Sequence, residues 1–152
     1  MRRTLVILSL LLLFVASCKK DDPADIFTLS AEAIAIIDNC QNDPLILEGS
    51  IKNQLIGEWE LFAYACTGCV PHAPPTATIS FTDQGGVYQY QVEDENINFD
   101  FVWELTVDPG TGELFLQTTP AHYGLAMTHF CPDYMFQDSR AADGTLHLYK
   151  KN

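Results

Sequence analysis

Positive charge is scarce in this sequence. Eight lysines and arginines stand against twenty aspartates and glutamates, a formal net charge of −12 over 152 residues. Nucleic acid and other polyanions are therefore poor partners, because long-range repulsion opposes their approach. Long apolar runs are also missing. The longest, residues 5–16, is broken by Ser9 and falls short of the roughly 20 residues a helix needs to cross a bilayer. Catalytic signatures are absent too: there is no Gly-x-Ser-x-Gly elbow, no His-Glu-x-x-His motif and no phosphate-binding loop. Neither enzymatic chemistry nor a cofactor is expected. The acidic run Glu93-Asp94-Glu95 lacks the alternating spacing of calcium loops and reads as an exposed turn.

What is present begins at the N-terminus. Arg2 and Arg3, a short apolar run and the small residues Ala16 and Ser17 are the three parts of a secretory signal. Val15-Ala16-Ser17-Cys18 resembles the lipobox of bacterial lipoproteins. That resemblance implies alkylation of the Cys18 thiol by a diacylglyceryl group, cleavage before Cys18 and acylation of the freed amine. Two or three acyl chains anchor far more firmly than one. The alternative is an ordinary signal with a chance cysteine. On the lipobox reading, residues 1–17 are a signal peptide, 18–25 a lipidated tether, 26–54 an N-terminal helical segment and 55–152 a barrel domain. Lys19-Lys20-Asp21-Asp22 are four adjacent charges that stay in water. An aspartate directly after the cysteine would resemble the inner-membrane retention signal of some gram-negative lipoproteins; Lys19 stands there instead, so the resemblance implies the outer membrane, on its periplasmic face or at the cell surface. Cleavage removes two arginines and no acid, shifting the charge from −12 to −14. Residues 18–152 suit one domain by length, expected as a monomer.

Four cysteines remain beyond Cys18: Cys40, Cys66, Cys69 and Cys131. In an oxidising compartment they can form two disulfides, with three possible connectivities. Cys66-Thr67-Gly68-Cys69-Val70-Pro71-His72 also offers Cys66, Cys69 and His72 as ligands for copper(I) or zinc. His129-Phe130-Cys131 is a candidate completion of such a site. Thiol redox sensing is the third reading. A covalent haem is not expected, since histidine does not directly follow the second cysteine.

The patterning divides the chain. Between 26 and 41, apolar residues at Ile26, Leu29, Ala33 and Ile37 fit a helix, capped by Thr28 or Ser30. The alternation across 31–36 also permits a strand. Residues 50–55 suit a short helical turn. From Gly57 onward, aromatic and β-branched runs alternate with turn residues, which predicts antiparallel strands at 58–65, 76–82, 87–92, 98–107, 113–118, 121–128, 133–137 and 145–150. Pro120 and Gly124 weaken the sixth. Trp59, Leu61 and Ala63 are set opposite Phe62 and Tyr64, and Leu146 and Leu148 opposite His147 and Tyr149. One apolar face per strand implies a sheet around a single core. An up-and-down barrel of about eight strands fits that count and leaves no exposed edges; a sandwich is the alternative. His122 and His147 read as ordinary strand residues.

Leu55-Ile56-Gly57-Glu58-Trp59-Glu60-Leu61 resembles the Gly-x-Trp opening of lipocalins and bacterial lipocalin-like lipoproteins. The similarity covers roughly residues 50–152, and 146–151 resembles the terminal strand of those proteins. It implies an all-β, eight-stranded antiparallel barrel behind a short helical segment, with Gly57 and Trp59 at its base. It also implies a small apolar ligand or an envelope protein as partner, alongside the membrane reached through the lipid. The Cys66–Cys69 segment resembles a Cys-x-x-Cys loop found in lipocalin-like lipoproteins of envelope stress and copper resistance. Tyr64, Phe81, Tyr88, Phe101 and Trp103 are the candidate pocket. An eight-stranded barrel is just wide enough for side chains or one small ligand, so the same rings can line the interior or fill it. A filled core would suit a structural, protein-binding module.

Overall fold

The computed structural model describes residues 29–66, 74–110, 112–139 and 144–152. Its first element is helix α1 (Ala31–Asn42). Ser30 caps it: the Ser30 hydroxyl accepts from the Ala33 backbone N–H at 3.1 Å, satisfying one of the donors a helix start leaves over. Ala33, Ile37 and Cys40 lie on its buried face, one helical repeat apart. Helix α2 (Glu48–Leu55) buries Ile51 and Leu55.

The strands are β1 (Gly57–Cys66), β2 (Thr76–Thr82), β3 (Gly85–Val92), β4 (Glu95–Val107), β5 (Leu114–Thr119), β6 (His129–Cys131), β7 (Tyr134–Asp138) and β8 (Thr145–Lys151). They form one antiparallel sheet in the order β5-β4-β3-β2-β1-β8-β7-β6. The sheet curls into a nearly closed barrel. At the seam between β5 and β6, the Leu116 N–H donates to the Met127 carbonyl at 2.9 Å.

Helix α2 closes one end, here called the base. Ile51 and Leu55 join Trp59, Ile79, Phe81, Phe101 and Leu116 in the interior cluster. Trp59 is fully buried, and its indole N–H donates to the Leu55 carbonyl at 2.8 Å. That bond satisfies a carbonyl at the helix end and the one polar atom of the indole. Lys151 donates to the Gln54 carbonyl at the same corner. Gly57 adopts φ +126°, a conformation open to glycine and strained for any L side chain.

Three expectations are corrected. The strand expected at 121–128 is a 3₁₀ turn at Tyr123–Leu125 flanked by irregular chain, and β6 begins at His129. Pro120 has no N–H to give a ladder, and a side chain at Gly124 would begin 2.5 Å from the Tyr88 hydroxyl. The alternation along β1 breaks at a bulge opposite β8 between Leu61 and Ala63. A bulge adds one residue and exchanges the faces of all that follow. Trp59 and Leu61 therefore belong to the interior cluster, whereas Phe62, Ala63 and Ala65 join a second one. Finally, there are two clusters, not one core. Ala33, Ile37 and Cys40 of α1 pack outside the barrel on Ala65, Phe136, Leu146 and Leu148. Strand β8 is consequently buried on both faces over Leu146–Tyr149.

Candidate binding site inside the barrel

Burial on both faces of β8 follows from its two neighbours. Leu146 and Leu148 point out under α1, so His147 and Tyr149 point in. Tyr64 pairs with His147 across β1–β8, and Gln137 pairs with it across β7–β8. Directly opposed residues share a face, so Tyr64, His147 and Gln137 form a row across three strands. The row lies at the end of the barrel far from α2. The Tyr64 ring meets His147 edge-on at 5.1 Å, and His147 stacks towards Tyr149 at 6.5 Å.

The 3₁₀ turn faces this row from the seam. Tyr149 donates its hydroxyl proton to the Gly124 carbonyl at 3.3 Å. The Gly124 N–H donates to His122 Nδ1 at 3.1 Å. An accepting Nδ1 on a neutral ring leaves the proton on Nε2. Tyr88 lies 4.9 Å from the His122 ring, and Phe99 lies 5.4 Å from it.

This end of the barrel is an electrically neutral interior. Among the described residues, the buried polar ones are Thr118 and His147, with no lysine, arginine, aspartate or glutamate. Burial away from water disfavours the imidazolium. It lowers the His147 pKa from 6.5 to about 4, with nearby His122 acting in the same direction. The His122 pKa is lowered as well, by burial. Both rings are uncharged near neutral pH. Gln137 Oε1 is buried and takes no hydrogen bond among the described residues.

The residues expected to line a pocket separate into two groups. Phe81, Tyr88, Phe101 and Trp103 belong to the interior cluster or pack against it. Phe81 touches Phe101 at 5.5 Å and Trp103 at 5.8 Å, so these three rings fill the base. Trp103 donates its indole N–H to the Thr82 carbonyl at 2.9 Å. Tyr64 and Tyr88 instead reach the histidines. Neither histidine behaves as an ordinary strand residue: His122 lies outside any strand, and His147 is fully buried. Only the double-sided apolar pattern of β8 could have betrayed His147 in the sequence. Nothing local marks His122.

Cys40 and Cys131 form a disulfide with Cα atoms 5.4 Å apart across 91 positions of sequence, inside the range a disulfide spans. Cys66 is disulfide-bonded too and offers no thiolate, which the expected metal site required of it. Cys18, Cys69 and His72 lie outside the described residues. Among the described residues no group of three or more His, Cys, Asp or Glu is arranged to hold a metal ion. None of the described helices is long and apolar enough to cross a membrane.

A concavity of about 400 Å³ lies outside the barrel at the seam, lined by residues including Leu45, Ile46, Leu114, His129 and Phe130. His129 stacks on Phe136 at 4.5 Å. Its pKa is lowered by burial, against opposing pulls from Glu113 and Asp138. No protein-family model, curated protein or solved structure matches the chain.

Proposed function

We propose that this protein is a membrane-anchored envelope lipoprotein whose lipocalin-like barrel holds a small, largely apolar ligand. The observation that carries the ligand reading is the closing of eight antiparallel strands into a nearly closed barrel, the shape that encloses one small ligand in proteins of this size. Its base is packed by Trp59, Phe81 and Phe101 beneath α2, whereas its far end presents a belt of Tyr64, Tyr88, His122, Gln137, His147 and Tyr149. Small-molecule sites combine apolar walls with a few placed polar groups, and the belt has that composition. A saturable hydrophobic fluorescent probe, displaced by fatty acids, is the expected behaviour. Absence of any saturable binding would overturn this part and favour a filled, protein-binding module.

The anchor rests on the lipobox-like Val15-Ala16-Ser17-Cys18. A disulfide between α1 and the barrel is consistent with life outside the cytoplasm, where such bonds persist. Cys18→Ala is expected to move the chain from the membrane fraction to the soluble fraction. Mass spectrometry of the wild type should show a lipidated N-terminal cysteine. A wild-type chain recovered soluble and unlipidated would remove the anchor while leaving the ligand reading standing.

A further inference from the structure

We propose that the groove outside the barrel, at the seam between β5 and β6, binds a small apolar amine in its protonated form, with Glu113 as its counter-ion. This site is separate from the barrel interior, and its failure would leave the reading of that interior untouched.

The groove follows from the way the seam closes. The Leu116 N–H donates to the Met127 carbonyl and joins β5 to β6. Further along β6 the partner changes: the Phe130 carbonyl accepts from the Leu45 N–H at 2.7 Å. The chain between α1 and α2 is thereby fixed across the seam. A concavity of about 400 Å³ is left between that chain, β5 and β6, a volume within the range of small-molecule sites.

The walls are apolar, formed by Leu45, Ile46, Leu114 and Phe130. Ile46 is 74% exposed and the adjoining Leu47 67% exposed, the two most exposed large apolar side chains among the described residues. An apolar body seated here withdraws such surface from water.

The charge has one sign. Glu113 is the one ionised side chain in the lining, which holds no lysine or arginine. His129 lines the groove as well and is kept neutral by burial. Glu113 and Asp138 both act on that ring, so a second carboxylate adds to the negative potential. The net charge of −12 draws cations towards the surface. The backbone supplies a further acceptor. The Glu113 carbonyl faces β4, where it accepts from the Asp108 N–H at 2.8 Å. Peptide groups alternate in direction along a strand, so the Leu114 carbonyl turns to the seam. An ammonium group therefore meets a carboxylate and a carbonyl beside an apolar wall. An anion meets repulsion, and an uncharged molecule has the walls alone.

The test is an NMR titration of the purified full chain at neutral pH, following the backbone amides of Leu45, Leu114 and His129. Three matched probes are used: 2-phenylethylamine, 2-phenylethanol and 3-phenylpropionate. All carry the same ring, and they differ in charge. The amine should bind about threefold to fivefold more tightly than the alcohol, the size expected of an ion pair partly in water, and the carboxylate should bind more weakly than the alcohol. In Glu113→Gln the amine should fall to the level of the alcohol, whose own affinity is unchanged. In Ile46→Ser the amine and the alcohol should weaken in the same proportion. Both positions are exposed, so spectra elsewhere in the barrel should stay as in the wild type. Equal affinity for amine and alcohol in the wild type would overturn the proposal, as would an unchanged amine affinity in Glu113→Gln. Saturable shifts confined to residues away from the groove, or none with any probe, would overturn it too.

Discussion

An imidazole buried without a counter-ion stays neutral, and His147 shows what that does to stability. Its pKa falls from 6.5 to about 4 on folding. Above 6.5 the ring is neutral in both folded and unfolded chains, and the native state bears no penalty. As pH falls from 6.5 towards 4, the unfolded chain takes up the proton first, so stability is lost across that window and levels off below it. The loss reaches about 3 kcal/mol. His122 adds to it in the same direction. Urea midpoints from pH 7 to pH 4 should therefore fall more steeply for the wild type than for His147→Gln; parallel curves would argue against a neutral buried ring. Gly57 offers a test at the base. With φ at +126° and Lys151 Cε only 3.3 Å from where a Cβ would sit, Gly57→Ala should cost about 1–3 kcal/mol, read from chemical denaturation. Trp59→Phe should cost a similar 1–3 kcal/mol, because it leaves the Leu55 carbonyl without its donor.

At the scale of elements, α1 is a strap on the outside of the barrel. Its contacts are the face of Ala33, Ile37 and Cys40 against Phe136, Leu146 and Leu148, and its clasp is the Cys40–Cys131 disulfide. Replacing both cysteines with alanine should lower stability by about 2–5 kcal/mol, since the bond closes a long loop. Amide exchange in α1 should rise before exchange in β2–β4 does; equal protection in α1 would show that apolar packing alone holds the strap. The helix was legible in its spacing and in Ser30, though its alternation allowed a strand. Strand positions were legible from β-branched runs and turn residues at all but one site. The exception, 121–128, carries apolar residues as a strand would, yet it serves as the turn that closes the seam. The face each side chain takes was less legible, because the bulge at Phe62 reverses the alternation within β1, and no local signal announces it.

At the scale of the whole molecule, the barrel has an apolar base, a polar-aromatic far end and a helix strapped to one side. Its acidic composition is distributed without buried carboxylates among the described residues, so the charge acts at the surface, favouring solubility over any one contact. On the reading of a lipid-held body, raising salt should leave membrane association largely unchanged, because acyl burial is not screened as charge pairs are. Release from membranes by salt alone would point to an electrostatic attachment.

The amino-acid sequence by itself determined that residues beyond Gly57 form short antiparallel strands around apolar faces and that a helical segment precedes them. These follow from local rules: the period of two along a strand, the reach of a cap, and the dihedral freedom of turn residues. Only the tertiary structure decided that Cys40 pairs with Cys131, that β8 buries both faces, and that His122 and His147 meet inside the barrel. Period two separates Leu146 and Leu148 from His147 and Tyr149, but it cannot say which set faces inward when both are covered. Likewise, residues 91 positions apart become neighbours only when the sheet closes and brings them there.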